Sequence, residues 1–135
     1  MLHKILCVDD DPITLMLCKK VISRTSFAKE TITANNGEEA LQYFKNIKSD
    51  KVEELPQLIF LDLNMPVMGG WEFLDTFCLP EYEAYNSISI VVLSSTIDPE
   101  DLEKTKKYSM VIDFLPKPIS TKMLEYLIQN KRLLL

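Results

Sequence analysis

Leu58-Ile59-Phe60-Leu61-Asp62-Leu63-Asn64-Met65-Pro66-Val67-Met68-Gly69-Gly70 is the stretch from which the rest of the chain can be read. Four apolar residues run without interruption into one carboxylate, and a proline and paired glycines follow at once. An unbroken apolar run closed by turn residues is the pattern of a strand buried on both faces, as in a parallel sheet. Asp62 then stands at the carboxyl end of a central strand, the edge where open α/β sheets bind ligands. A carboxylate buried there is costly unless another group pairs with it. Its partners must come from elsewhere in the chain.

The 135 residues suffice for one domain with a full core. An apolar share of 47% and a charged share of 26% are those of an ordinary globular protein. The net charge of -5 comes without a basic stripe and argues against direct nucleic-acid binding. No apolar run reaches the roughly 20 residues of a membrane span, and no signal peptide precedes the first strand, so neither a membrane nor secretion is expected. Three cysteines without metal-ligand spacing fit a reducing compartment, and a cytoplasmic location follows. Cys7, Cys18 and Cys78 each read as a small buried hydrophobe.

Outward from the central strand, strand and helix patterns alternate five times. Lys4–Val8 is a short apolar strand that ends in Asp9-Asp10-Asp11-Pro12. Proline suits a first helical turn, which makes Asp11 the cap of a helix through about Arg24 rather than a ligand. Ile13, Met16, Leu17 and Val21 are expected on its inner face. Thr31–Ala34 is β-branched and alternating, Asn35-Asn36-Gly37 is a turn, and Glu38–Ile47 carries Ala40, Leu41, Phe44 and Ile47 at helical spacing. Ser49–Gln57 is a polar loop. Trp71–Phe77 is helical, whereas Leu79–Ser87 shows no regular period. Ile88–Leu93 is a fourth strand, Asp98-Pro99 caps a helix of two to three turns, and Ile112–Leu115 is a fifth strand. Ser120 caps a last helix through about Lys131.

Alternation of this kind means βαβ units and a doubly wound parallel sheet, an α/β fold. All strand ends then project polar residues to one edge: Asp9 and Asp10, Asp62, Ser94 and Lys117, with Asn35 near them. Clustered carboxylates repel unless a cation joins them, and a few carboxylates with room for water suit Mg²⁺. Such a metal beside a lysine and a hydroxyl is equipped to neutralise phosphoryl oxygens. The nucleophile would be a carboxylate, giving an aspartyl phosphate.

Asp9-Asp10, then Asp62-Leu63-Asn64-Met65-Pro66 with Gly70, then Ser94, then Lys117-Pro118 resembles the receiver domain of bacterial two-component response regulators, over nearly the whole chain. The resemblance implies a five-stranded sheet in the order 2-1-3-4-5 with five helices, the flavodoxin-like three-layer sandwich. It implies phosphorylation of Asp62 by a histidine kinase or phosphotransfer protein, with Mg²⁺ as cofactor. Asp10, Asp62 and the main-chain carbonyl of Asn64 would ligate the metal, and Asp9 would act through water. Ser94 would hold one phosphoryl oxygen and Lys117 another, with the Lys117–Pro118 bond cis. Phe114 stands where the family carries a switch aromatic, and reads equally well as a core phenylalanine. His3 is a surface residue, and Met65 and Met68 pack the loop.

Three positions depart from the family pattern. Met110-Val111 replace a usual Gly-Ala, so that loop is expected to take another path. Ser95 replaces a usual alanine, and Leu79–Ser87 is longer than the minimal connection. Residues 1–135 are expected to act as one stand-alone receiver, whose output passes through an unidentified protein partner. It would be a regulator and not an enzyme, with at most self-catalysed phosphorylation and dephosphorylation. Two other readings compete. One is an interaction module that has lost phosphorylation. The other is a Mg²⁺-dependent hydrolase with an aspartyl intermediate, which would need a second acid at Asn64.

Overall fold

The computed structural model describes residues 2–47 and 54–130. The apolar strand sequences line up as one parallel five-stranded sheet in the order β2-β1-β3-β4-β5. The strands are β1 (Leu2–Val8), β2 (Ala28–Ala34), β3 (Leu58–Asp62), β4 (Ser89–Ser94) and β5 (Val111–Pro116). The helices between and after them are α1 (Pro12–Arg24), α2 (Gly37–Asn46), α3 (Gly70–Phe77), α4 (Pro99–Thr105) and α5 (Thr121–Asn130). The polar segment from Ser49 to position 53 and the end of the last helix at Lys131 lie outside the described residues.

β3 is buried along its whole length, and its side chains alternate between two cores. Ile59 and Leu61 join Phe44, Phe73, Phe77 and Phe114 on one face. Leu58 and Phe60 join Cys7, Leu15, Ile22, Val91 and Leu127 on the other. An apolar run with no polar alternation is thus the consequence of having helices on both sides. The caps hold as read. Asp11 accepts a hydrogen bond from the Ile13 N–H at 2.9 Å, and Asp98 accepts one from the Glu100 N–H, also at 2.9 Å. Ser120 accepts one from the Met123 N–H at 3.3 Å.

The inner face of α1 is not the expected one. Leu15, Cys18 and Ile22 are buried, while Ile13 is 62%, Met16 47% and Leu17 42% exposed. Val21 is only half-buried. At 100° per residue these two sets lie on opposite sides of the helix, and both are apolar, so the period alone cannot choose between them. The short link from Asp9 to the Asp11 cap sets the helix rotation, and that turns Leu15 and Cys18 onto β1.

The Leu79–Ser87 connection is also more regular than its sequence suggests. Pro80–Tyr85 forms a 3-10 helix, a sixth helix beside the five expected. Its Tyr82 is buried and packs at a tilt against Phe77, at 5.6 Å between ring centroids, and Tyr85 lies 5.1 Å from Phe44. Tertiary burial of the rings holds a segment that has no amphipathic period of its own.

β5, which follows Met110, opposes β4 with a register shift, Ile90 facing Val111 but Val91 facing Asp113. Ile112 is the extra residue, a bulge, and Met110 before it is buried in the core without a positive φ. α4 buries only Thr105. It is held from the side, where Lys104 lies 4.3 Å over the Trp71 ring. Just beyond its end the Tyr108 hydroxyl donates to Asp75 at 2.6 Å. Partial burial and that bond to a carboxylate push the Tyr108 phenol up to about 12. No helix among the described residues is long and apolar enough to cross a membrane.

Candidate functional site

The strand ends bring the acids together. Ligand oxygens of Asp9, Asp10 and Asp62 all lie within 4.8 Å of one another. Asp9 follows β1 directly and is fixed there by its N–H, which donates to the Ala34 carbonyl at 3.0 Å. Its Oδ1 accepts from the Asp11 N–H at 3.0 Å and its Oδ2 accepts from Lys117 Nζ at 3.0 Å. The same ammonium reaches Asp62 Oδ1 at 3.3 Å. Lys117 therefore bridges two buried acids, while Asp10 stays exposed beside them.

Lys117 is placed by the backbone. Its N–H donates to the Ser94 carbonyl at 2.8 Å, and the following Lys117–Pro118 bond is cis, as the resemblance implied. Ser94 is buried at the end of β4. Asp62 pairs in register with Leu93, so Ser94 stands one residue beyond Asp62 at the same edge. Its hydroxyl accepts a long bond from the Thr96 N–H at 3.4 Å. Asn64 lies exposed in the loop after Asp62. Asn35 is engaged elsewhere: its N–H donates to Glu39 Oε1 at 3.0 Å, completing the cap of α2 that Asn36 begins. Phe114 is packed in the core and opposes Val92. Ser95 is exposed, and so is His3.

Burial holds the Asp62 carboxyl above the usual carboxylate range, and the charge of Asp9 adds to this against the pull of Lys117. For Lys117 burial works against the charge, yet the bond to Asp9 and the charge of Asp62 outweigh it and its pKa rises. Three carboxylates and one ammonium leave a formal charge of -2 in the cluster. Two like charges about 4 Å apart cost on the order of 4 kcal/mol at an effective dielectric of about 20, so a divalent cation suits the remainder. The donors are all hard oxygens, the set that Mg²⁺ prefers.

Asp10→Ala is expected to leave the metal-free domain as stable as before or more so, since it removes an exposed charge from a repelling cluster. Mg²⁺ should then raise its melting temperature less than it raises that of the parent. A large fall in the metal-free melting temperature would make Asp10 structural instead.

The loop over Asp62 is tightly drawn. A Cβ on Gly70 would stand 2.6 Å from the Asp62 carbonyl oxygen, so only glycine lets α3 start there. Farther out, the Met68 N–H donates to the Pro66 carbonyl at 2.8 Å around Val67, whose φ is 68°. This is a γ-turn centred on a β-branched residue, a conformation that costs on the order of 1–3 kcal/mol. Nothing in the sequence marks it, because valine is among the residues least suited to such a turn. The turn is kept by the Gly37 N–H, which donates to the Met68 carbonyl at 2.9 Å. Val67→Gly should therefore stabilise the fold by about 1 kcal/mol. A lower urea midpoint for this variant would show that the turn is not strained.

Comparison with known proteins agrees with the geometry. The model of the response regulator receiver domain matches residues 5–129. A probable methanogenesis regulatory protein, FilR2, of Methanothrix harundinacea is 28% identical over 86% of this chain and 72% of its own. A probable C4-dicarboxylate response regulator, DctR, of Bacillus subtilis is 29% identical over 85% of this chain but only 46% of its own. Among solved structures, a two-component response regulator of Cytophaga hutchinsonii superposes with a TM-score of 0.85 at 28% identity, covering 94% of each chain. The chemotaxis protein CheY4 of Vibrio cholerae does so with 0.77 at 25% identity, over 99% of this chain and 100% of its own. With its five parallel strands and its acids gathered at their ends, the chain belongs to the receiver-domain family of two-component response regulators.

Proposed function

We propose that residues 1–135 act as one receiver domain in which Asp62 accepts a phosphoryl group from a phosphohistidine on a histidine kinase or phosphotransfer protein. The observation that carries this reading is the Lys117 ammonium bridging Asp9 and Asp62. It keeps a cation within reach of any oxygen added to Asp62. A carboxylate oxygen of Asp62 attacks phosphorus, the bond from phosphorus to the donor nitrogen breaks, and the imidazole keeps the electron pair. Lys117 then exchanges its contact with Asp62 for a phosphoryl oxygen, and the Ser94 hydroxyl donates to another. Asp10, Asp62 and the Asn64 carbonyl would hold Mg²⁺, with Asp9 acting through water. When bound, the metal neutralises charge on the phosphoryl oxygens.

The exposed apolar side chains of Ile13, Met16 and Leu17 lie on α1, which begins beside these acids, and favour a protein as the phosphoryl donor. The proposed location is the cytoplasm, where histidine kinases present their phosphohistidine, and the domain contacts neither membrane nor nucleic acid directly. Incubation with acetyl phosphate and Mg²⁺, followed by intact-mass measurement, tests the assignment. One added phosphoryl group is expected. No adduct would favour the phosphorylation-independent module, and repeated turnover of phosphate esters would favour the hydrolase, against which Asn64 stands in place of a second acid.

The signal is proposed to leave through Ser94 and Phe114. A phosphoryl group adds charge and acceptor oxygens at the sheet edge. The Ser94 hydroxyl is drawn toward them, and the already buried Phe114 repacks toward the space this leaves behind β4. Phenylalanine has no hydroxyl to hold one rotamer, so the free domain should already sample the active form. The face of α4, β5 and α5 is then the readout surface, and α4 is the part of it with least burial to hold it. Beryllofluoride, a phosphoryl mimic, should shift backbone amide resonances at Phe114 and along α4. Shifts confined to the loops around Asp62 would sink this route.

A further inference from the structure

Behind the acids, on the α1 side of the sheet, two thiols face each other. Cys7 in β1 and Cys18 in α1 are both buried, and their Sγ atoms are 3.3 Å apart. As separate residues each is an ordinary small hydrophobe. In contact across a strand and a helix they form a dithiol. A disulfide has an S–S distance of about 2.05 Å, so the sulfurs need to close by only about 1.2 Å. Access comes from Cys18, which lines a groove of about 280 Å³ together with Leu17, Lys117 and Pro118. An oxidant of the size of water fits there.

We propose that Cys7 and Cys18 form a reversible internal disulfide when the protein meets hydrogen peroxide, tying α1 to β1 across the loop that carries Asp9, Asp10 and Asp11. The Cys18 sulfur attacks a peroxide oxygen and the O–O bond breaks. The departing oxygen leaves as water with the thiol proton, and Cys18 becomes a sulfenic acid. The Cys7 sulfur then attacks the Cys18 sulfur and displaces hydroxide, which takes the Cys7 proton and leaves as a second water. Two thiols and one peroxide thus become one disulfide and two waters; the sulfurs are oxidised and the peroxide oxygens are reduced. A dithiol reductant reverses the bond by exchange. Such a transient bond is the kind that a reducing compartment permits.

The new bond would join positions 11 residues apart, and the segment between them holds two of the three clustered acids. Its effect is therefore to restrain that loop. The proposal does not depend on phosphorylation of Asp62, and neither does its test. Cys78, which is exposed, is first replaced by serine to remove the competing thiol. The folded variant is treated with hydrogen peroxide, alkylated and cut with trypsin, which leaves Cys7 and Cys18 in one peptide, Ile5–Lys19. That peptide should lose two hydrogens, resist alkylation, and regain two alkylatable thiols after dithiothreitol. Amide exchange over residues 9–14 should slow by roughly tenfold in the oxidised form. The proposal is overturned if both thiols still alkylate after peroxide, or if the bond appears only when urea has unfolded the chain. It is equally overturned if the bond forms and exchange in the loop is unchanged.

Discussion

Asp62→Asn is expected to gain no phosphoryl mass from acetyl phosphate and Mg²⁺ under conditions that modify the parent chain fully. An amide nitrogen or oxygen cannot form the acyl phosphate that the carboxylate forms. If the variant were modified at the parent rate, the acceptor would be another carboxylate of the cluster. The same substitution carries a second expectation of opposite sign, on stability. Burial and the neighbouring charge of Asp9 raise the Asp62 pKa above its value of 3.8 in the absence of such surroundings. The native state therefore holds the proton more tightly than the unfolded chain. Stability falls as pH rises from that ordinary value through the raised one, and the penalty is complete above it. The neutral amide removes the penalty, so Asp62→Asn should melt higher than the parent at pH 7, by roughly 2–4 °C. The two melting curves should converge in acid. A lower melting temperature at pH 7 would mean that the Lys117–Asp62 contact outweighs the cost of burying the charge.

The largest loss of stability is expected from Phe77→Ala, about 3–5 kcal/mol. Phe77 is fully buried and its ring meets four others. Phe44 lies at 4.9 Å, Phe73 at 5.1 Å, Tyr82 at 5.6 Å and Tyr85 at 6.2 Å between centroids. These rings come from α2, α3 and the 3-10 helix, so the cavity left by alanine would have walls on three elements that cannot all close in. A domain of this size has about 5–15 kcal/mol in total, and the variant would retain only a fraction of it. The urea midpoint measures this. A loss below about 1 kcal/mol would show that the neighbouring rings collapse freely into the space. Phe77→Leu should cost less, because it keeps most of the volume.

Much of this molecule is legible in its residues for simple reasons. β3 reads as buried on both faces because Leu58–Leu61 offers no polar position for water to meet. Asp11-Pro12 and Asp98-Pro99 mark helix starts because the acid accepts a backbone bond while proline needs none. The acids and Lys117 converge because parallel strands all end at one edge. The bridge itself is another matter. That Lys117 grips Asp9 as well as Asp62, and that Asp9 is buried while its neighbour Asp10 is exposed, depends on side chains 108 residues apart meeting in space.

The sequence by itself therefore determined the class of fold, the order of elements, the helix caps and the identity of the acidic cluster. Each of these follows from local pattern, from backbone chemistry, or from the rule that parallel strands share a polar edge. Only the tertiary structure decided which of two apolar faces α1 buries, since both have helical spacing and the link from β1 sets the rotation. It alone decided that Pro80–Tyr85 is ordered, because rings on other elements hold Tyr82 and Tyr85. It also placed a positive φ on Val67, a residue that resists it, because Gly37 holds the following carbonyl. In the last two cases the deciding contact is distant in sequence, Tyr85 with Phe44 and Gly37 with Met68, and no local period or propensity carries it.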